Sequence, residues 1–391
     1  MDLARNLIGR INVGDSLTRT AASRPARLAV VDGDRRLTYA EFNAYVNRLA
    51  HGLAGRGYER GAALALASGN SADFLAVYFA CAKLGVVCVP VNLGWRPDEV
   101  AYVLGHSRAR GIVIESRLVT AMQDAVAKVP EVADVIVVPR DLESLSSHTD
   151  TTEPRCYVDD TDALSYLYTS GTTSFPKGVV GSHKAIYLES MSGALDSGWR
   201  FDDRFAAMMP MFHTAQLNAF CTPAVMVGAT IYVMRGFDPA VLLDLIEREQ
   251  VTQIFGLPMM YRAMLDHPGF ADRDLLSLRR AVYAMAPMPD DLIGRCLTGF
   301  GCDFAADPRV AETVVVGLPH ERWSEAITAF VVPKPGQTID PAGLIAALKE
   351  RLDGFKVPKA VILVGELPKT STGKIQKNVV RSEHSEYYEA G

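Results

Sequence analysis

The chain has 391 residues, of which 49% are hydrophobic and 22% are charged, and its formal net charge is −5. This length exceeds what one hydrophobic core usually supports, so we expect an ordinary globular protein with two or more domains. The acidic balance and the lack of a Lys/Arg run argue against a nucleic-acid-binding surface.

Strand-like and helix-like patterns alternate along the first part of the chain. Short apolar runs separated by amphipathic stretches predict parallel strands with covering helices. The predicted strands are Leu28–Val31, Ala63–Ala67, Val86–Val91, Gly111–Ile114 and Val135–Val138, and the predicted helices include Tyr39–Leu53 and Ala72–Leu84. The polar stretch Pro139–Asp162 then predicts a connection on the surface.

A second alternating region runs to about Phe304 and is followed by a different pattern. Its predicted strands are Phe205–Met209, Thr230–Met234, Gln253–Gly256 and Ala281–Ala284, with helices at Pro239–Gln250 and Pro258–His267. Beyond Asp307, strands at Glu312–Gly317, Ala326–Val332 and Ala360–Val364 and a helix at Pro341–Leu352 predict a small α+β module.

The cysteine pattern and the hydropathy of the sequence predict the cellular compartment of the protein. The six cysteines include no C-x-x-C pair, which favours reduced core thiols over a disulfide framework or a zinc site. The first sixteen residues lack a signal-peptide core, and no apolar run has the length of a transmembrane helix. These features predict a cytoplasmic protein without a transmembrane segment.

The most informative stretch is Tyr168–Gly178, YTSGTTSFPKG, directly after the short apolar strand Leu164–Leu167. A loop of small residues lets backbone N–H groups approach phosphate oxygens, and hydroxyl and ammonium groups add further donors. The string is not a Walker-type loop, and a plain Ser/Thr/Gly turn closed by Pro176 is the alternative interpretation. The candidate phosphate contacts are Thr169, Ser170, Gly171, Thr172, Thr173 and Lys177.

Together with other strings in the same order, this loop resembles the phosphate-binding signature of the adenylate-forming superfamily, in its acyl-CoA synthetase branch. The other strings are Leu37–Tyr39, Asn70–Ser71, Lys83–Gly85, Val89–Asn92, Pro210–His213, Gly256–Pro258, Ala284–Pro287 and Leu367–Lys374. The resemblance implies an α/β adenylate-forming fold with two α/β subdomains and a small C-terminal α+β domain. It divides the chain into an incomplete N-terminal domain, residues 1–304, and a C-terminal lid domain, residues 305–391.

The resemblance also implies roles for single residues. Thr169 matches a threonine on the magnesium side of the phosphates, and Lys177 matches a flexible phosphate contact. Lys374 matches the lysine that bridges the carboxylate and the α-phosphate, although a lysine in a polar segment is ordinarily a solvated surface residue. His213 matches a gate between the acyl tunnel and the nucleotide, or it is a satisfied core or capping histidine.

The adenine pocket is matched by the string Ala284–Pro287, whose residues Ala286 and Pro287 are the candidate nucleotide contacts. Small residues there would present accessible backbone against the adenine face. Considered alone, the same string is a plain junction between a strand and a turn.

Part of the family pattern is absent from this sequence. The family has an aromatic-Gly-x-Thr-Glu segment for adenine and Mg²⁺, a Thr-Gly-Asp segment for the ribose, and a Gly-Arg-x-x-Asp hinge. Here Gly299–Phe304 is joined almost directly to Asp307–Glu312, which resembles the C-terminal domain well past the hinge. Most of the β-barrel subdomain should therefore be missing, and its former neighbours should expose apolar surface.

Two functional hypotheses follow. The first is an ATP-dependent acyl-CoA ligase that converts a small-molecule carboxylic acid, of the fatty or another hydrophobic class, with ATP, Mg²⁺ and CoA into acyl-CoA, AMP and pyrophosphate. The second is a catalytically impaired remnant that binds at most a nucleotide or an acyl group. A kinase or ATPase of another fold is disfavoured because the Walker pattern is missing.

Overall fold

The computed structural model describes residues 2–169, 175–286, 288–300, 310–320, 324–334, 336–349, 357–369 and 375–388. The chain divides into two compact units, Met1–Gly256 with Asp266–Ala281, and Leu257–Leu265 with Val282–Gly391. The predicted boundary between residues 304 and 305 lies outside the described residues.

The first unit alternates strands and helices, as the hydrophobic pattern predicts. Its strands are β1 (Leu28–Asp32), β2 (Arg35–Thr38), β3 (Ala63–Ala67), β4 (Val87–Pro90), β5 (Ala109–Glu115), β6 (Asp134–Val138), β7 (Ala163–Thr169), β8 (Lys177–Ser182), β9 (Arg204–Ala207), β10 (Thr230–Val233) and β11 (Gln253–Gly256). Its helices are α1 (Leu3–Gly9), α2 (Val13–Ser23), α3 (Tyr39–Gly55), α4 (Ala72–Leu84), α5 (Pro97–His106), α6 (Val119–Ala127), α7 (Arg140–Leu145), α8 (His183–Asp196), α9 (Thr214–Gln216), α10 (Thr222–Val227) and α11 (Pro239–Glu249), with a 3₁₀ turn at Ser116–Leu118 and a π-helical turn at Leu217–Cys221.

Two mostly parallel sheets organise this unit. One has the strand order β6-β5-β3-β4-β7-β8, and only its edge strand β8 runs antiparallel to its neighbour. The other contains β11-β9-β10-β1-β2, with β2 antiparallel to β1. Parallel strands of this kind are buried on both faces, which explains why β3 and β4 consist almost entirely of buried apolar residues. The predicted α/β fold class is confirmed.

Helix α4 is buried on all sides. Apart from Asp73, each of its residues is buried, which is expected of a helix that is hydrophobic around its whole circumference. Ser71 caps its N-terminus by accepting the N–H of Phe74, and Gly85, in the left-handed conformation with φ 71°, ends it.

The stretch between Pro139 and Asp162 is more than the predicted surface connection. It forms α7, whose Leu142 and Leu145 are buried. It also carries Glu153, whose carboxylate accepts a hydrogen bond of 2.6 Å from the ammonium of Lys83, a residue only 1% exposed. Asn43 and Asn47 accept the other two donors of Lys83, so this buried lysine is fully paired.

The second unit contains the small α+β module. Its elements are α12 (Pro258–Leu265), α13 (Asp290–Phe300), β13 (Val310–His320), β14 (Ser324–Pro333), α14 (Pro341–Lys349), β15 (Ala360–Leu363) and α15 (Lys377–Glu383), and the strand β12 (Arg280–Tyr283) crosses the division between the units. The strands β13, β14 and β15 form a sheet with an antiparallel and a parallel pair. Successive residues such as Phe330 and Val331 point to opposite faces and belong to different apolar clusters, so both faces of the sheet are covered.

Apolar side chains are exposed along the edge strand β8 and the following helix. Val179 and Val180 are 55% and 65% exposed, and Leu188 and Leu195 on α8 are 50% and 75% exposed. Among the described residues, no helix is both long and apolar enough to span a membrane.

Candidate functional site

The predicted phosphate loop joins two paired strands. Strands β7 and β8 form an antiparallel pair, and its last partners are Thr169 and Lys177. Opposite residues of such a pair have Cα atoms about 5 Å apart, so both candidates lie together at the mouth of a hairpin. Both residues are exposed. The other loop candidates, Ser170, Gly171, Thr172 and Thr173, lie outside the described residues.

The position of this hairpin in the sheet favours ligand binding. Strand β7 runs parallel to β4, with Cys88 opposite Ser165, so Thr169 lies at the carboxyl-end edge of the parallel strands. In open α/β sheets, ligands bind at this edge. The hairpin therefore presents Thr169 and Lys177 where a phosphate site is expected.

An aromatic network contacts both stems of the loop. The phenol of Tyr168 and Nδ1 of His106 share a hydrogen bond of 2.7 Å, and the His106 ring stacks on Tyr102 with 5.3 Å between centroids. Tyr102 in turn stacks on Phe175, with 4.7 Å between centroids and 29° between planes. Trp95 meets Tyr168 edge-on at 6.5 Å. Outside the loop string, no sequence motif indicates the contributions of Trp95, Tyr102 and His106.

Gly178 makes room for the ring of Tyr168. The two residues are opposite each other in the β7–β8 pair, and a Cβ at Gly178 would lie 3.0 Å from the Cζ of Tyr168. Burial raises the pKa of the Tyr168 phenol to about 12, so the phenol stays protonated at neutral pH. A neutral phenol can share its hydrogen bond with His106 in either direction, depending on the imidazole tautomer.

His213 lies on a segment that buried amides hold in place. The side chain of Asn70 donates to the carbonyls of Met209 and Met234 at 2.9 and 3.0 Å, and it accepts the N–H of Met211 at 2.8 Å. Gln216 accepts the N–H of Met209.

The His213 side chain itself is exposed at the surface of this segment. Its ring lies 4.7 Å from that of Phe212, and partial burial lowers the pKa of its imidazole. A neutral, exposed imidazole beside an aromatic ring is compatible with the predicted gate, and that role stays a prediction.

The adenine-pocket candidates belong to the second unit. Met285 has φ 70°, a left-handed conformation that is rare for a residue with a side chain, and Ala284, Met285 and Ala286 are all exposed. Strained backbone of this kind is often found at ligand sites. Ala286 therefore presents accessible backbone, whereas Pro287 lies outside the described residues.

The residues on either side of the C-terminal string that contains Lys374 are paired with each other. Lys369 and Ile375 form an antiparallel bridge, and the ammonium of Lys369 pairs with Glu312. Lys374 itself lies outside the described residues, so its bridging role stays a prediction.

The part of the chain that the structure describes offers few side-chain ligands for a magnesium ion. There, no group of three or more His, Cys, Asp or Glu residues could hold a metal ion. Thr169 supplies a hydroxyl oxygen, which suits a hard cation but is weak by itself. Magnesium in proteins usually keeps several waters and is held partly by phosphate oxygens, so Thr169 fits an ion that arrives with the polyphosphate.

Comparison with known proteins decides the family. Residues 17–313 match the model described as AMP-binding enzyme, and residues 304–374 match the AMP-binding enzyme C-terminal domain. The chain belongs to the AMP-binding enzyme family. Within the adenylate-forming superfamily it falls in the acyl-CoA synthetase branch, which confirms the resemblance noted in the sequence.

Relatives of this AMP-binding enzyme span nearly its whole length. A feruloyl-CoA synthase from Amycolatopsis is 27% identical, covering 94% of this chain and 98% of the relative. The long-chain-fatty-acid–CoA ligase FadD13 of Mycobacterium tuberculosis is 26% identical, covering 96% and 99%. The inhibitor-bound N-terminal domain of FACL13 from Mycobacterium tuberculosis is 27% identical with a TM-score of 0.74, covering 82% of this chain and 89% of that one.

These alignments also show that the AMP-binding enzyme is shorter than its relatives. They extend over 493 and 499 residues, more than the 391 of the chain, so they cross positions that the chain lacks. The two family matches meet at residues 304–313. This is where the sequence joins Phe304 to Asp307 and lacks the magnesium- and ribose-binding motifs.

Proposed function

We propose that this protein is an ATP-dependent acid–CoA ligase acting on a fatty or other hydrophobic carboxylic acid. The observation that carries the proposal is the β7–β8 hairpin, which presents Thr169 and Lys177 together at the carboxyl-end edge of the sheet. Family membership supports it, because the relatives include CoA ligases for feruloyl, long-chain fatty and indoleacetate substrates.

The reaction has two steps. A carboxylate oxygen attacks the α-phosphorus of ATP and pyrophosphate leaves, and the CoA thiolate then attacks the acyl carbon and releases AMP. Positioning and charge neutralisation contribute most of the catalysis in phosphoryl chemistry of this kind. Lys177 would contact the departing phosphates, Lys374 would bridge the carboxylate and the α-phosphate, and His213 would border the acyl entrance. Magnesium would neutralise phosphate charge, with Thr169 as a nearby oxygen ligand.

A second candidate function is supported by the missing motifs. Without the aspartate of the Thr-Gly-Asp segment the ribose loses a bidentate acceptor, and without the family's glutamate the metal loses a hard ligand. A remnant with these losses would bind polyphosphate or an acyl group without turning over.

Carboxylate-dependent exchange of labelled pyrophosphate into ATP separates the two candidates. The ligase should catalyse exchange with at least one acid from a panel of fatty and aryl acids. No exchange with any acid, from protein that is folded by circular dichroism, would refute the ligase and favour the remnant.

Lys374 provides a sharper test once exchange is seen. Lys374→Ala should abolish adenylation, yet it should leave CoA transfer from a preformed acyl-adenylate largely intact, because its charge is needed only at the α-phosphorus. Lys349→Ala, an exposed lysine at the end of α14, is the matched control and should retain both steps. Equal loss of both steps in Lys374→Ala would contradict the assigned role.

A further inference from the structure

A continuous aromatic ladder connects the two stems of the phosphate loop. It runs from Phe175, after the loop, through Tyr102 and His106 to Tyr168, before the loop. Each step is a stacked ring pair or a hydrogen bond, and the edge-on contact with Trp95 closes the far end. The ladder therefore joins residues on both sides of the loop without passing through it.

Both middle members of the ladder belong to one helix. Tyr102 and His106 are four residues apart on α5, so their side chains lie on the same helical face. One of them contacts the stem that follows the loop and the other contacts the stem that precedes it. The backbone pairing of β7 with β8 ends at Thr169 and Lys177, and one face of α5 holds Phe175 beyond that pairing while it also contacts Tyr168.

We propose that helix α5 positions the two stems of the phosphate loop for polyphosphate binding, through the ladder of Phe175, Tyr102, His106 and Tyr168. The inference rests on the proposed nucleotide function of the hairpin. It assigns a positioning role to Tyr102 and His106, which lie outside the family motifs, and to Tyr168 and Phe175, which lie within the phosphate-loop string. None of the four has to touch the substrate.

The exposure of Phe175, at one end of the ladder, indicates that this residue contributes little to the stability of the fold. Phe175 is 53% exposed, so its ring gains little from burial, yet it stacks on Tyr102 at a distance typical of favourable aromatic pairs. Holding a loop in its bound conformation raises affinity because less conformational entropy is lost on binding. The Phe175–Tyr102 contact is therefore placed to affect ligand binding more than stability.

The test compares ladder variants of the full-length protein by calorimetric titration with Mg·ATP. Phe175→Ala and Tyr102→Ala should each weaken binding by about tenfold, the scale of one lost stacking pair. The double variant should bind no more weakly than Tyr102→Ala, since Tyr102→Ala already removes the contact with Phe175 together with the contact with His106. Tyr102→Phe keeps the ring and should bind as the wild type does.

A matched control separates this effect from a general loss of an exposed ring. Phe201 is 50% exposed in the same unit and packs against Arg24, away from the ladder. Phe201→Ala should leave ATP affinity unchanged. Equal affinity for Phe175→Ala and the wild type, or an equal loss in Phe201→Ala, would overturn the inference.

Amide hydrogen exchange in the ligand-free protein provides a second readout that does not depend on nucleotide binding. Phe175→Ala and Tyr102→Ala should accelerate exchange in the β7 and β8 stems by about fivefold or more, while β3 and β4 stay protected. If Tyr102→Ala fails to fold, Phe175→Leu replaces it, since leucine keeps apolar bulk but cannot stack.

The two readouts distinguish failure of the inference from failure of the proposed function. Unchanged stem exchange refutes positioning by α5, whether or not ATP binds. Faster stem exchange in a protein whose wild type binds no ATP supports the ladder and refutes the nucleotide function.

Discussion

Buried His183 should make the stability of the protein fall between neutral and mildly acidic pH. This histidine begins α8 and is fully buried. Its Nδ1 accepts the N–H of Val13 at 3.3 Å, and its Nε2 has no hydrogen-bond partner among the described residues. Burial lowers the pKa of the imidazole to about 4, and this effect outweighs the attraction of Asp162 for the charged form.

The size and sign of the effect follow from linkage. The ordinary pKa of 6.5 applies to the unfolded chain and about 4 to the folded one, so the unfolded state binds the proton first as the pH falls. The contribution is fully present above pH 6.5 and is lost as the pH falls toward 4. The difference between a pKa of 6.5 in the unfolded chain and about 4 in the folded one corresponds to about 3 kcal/mol of stability.

Urea unfolding at half-unit steps from pH 7 to pH 4 would measure this effect. His183→Asn keeps an acceptor near the position of Nδ1 and removes the titration, so its free energy of unfolding should fall less steeply than that of the wild type. His148→Asn, at an exposed histidine, should follow the wild-type curve. Parallel curves for wild type and His183→Asn would refute the assignment of the pH dependence to His183.

Three further predictions concern buried polar groups and the phosphate site. Asn70→Ala should lower the free energy of unfolding by about 2–4 kcal/mol because three short hydrogen bonds are lost, whereas the partly exposed control Asn92→Ala should cost less than about 1 kcal/mol in the same urea titration. Lys83→Met should lower the free energy of unfolding by about 2 kcal/mol because Glu153 loses its charged partner, although the Glu153 side chain is 40% exposed and still reaches water. In a thermal melt, the double variant Lys83→Met, Glu153→Gln should regain part of that lost stability. If the protein is the remnant, Mg·ATP and Mg·tripolyphosphate should bind with affinities within about threefold of each other in calorimetry, since the ribose-binding motif is missing. A roughly tenfold preference for ATP would contradict the remnant and favour the ligase, whose adenine-pocket string Ala284–Pro287 is present.

Much of the first unit could be predicted from hydrophobic patterns, but its edge strand could not. Buried parallel strands such as β3 and β4 leave a clear apolar signal. Strand β8 has two glycines among six residues and exposed valines, which is a weak signal for a strand. It forms because its backbone pairs with β7, and one of those glycines, Gly178, admits the Tyr168 ring.

Site residues could be predicted from the sequence only where they lie together within one short motif. Thr169 and Lys177 lie within a single motif, and the structure brings them together as hairpin partners. Tyr102 and Phe175 are 73 positions apart in the sequence, and each considered alone is an ordinary aromatic residue. Lys83 likewise belongs to a family string, yet nothing local indicates that Glu153, seventy positions later, completes its hydrogen bonding.

The contacts that support the β7–β8 hairpin are made by elements in the first half of the chain. Strand β7 is held by β4 on one side and β8 on the other, and α5 contacts both stems through the ladder. Each of these elements precedes residue 183, well before the junction between Phe304 and Asp307. The contacts seen to shape the hairpin among the described residues therefore come from elements far in the sequence from this junction. We therefore expect the β7–β8 hairpin to keep its shape although the family motifs for the ribose and the metal are missing from this sequence.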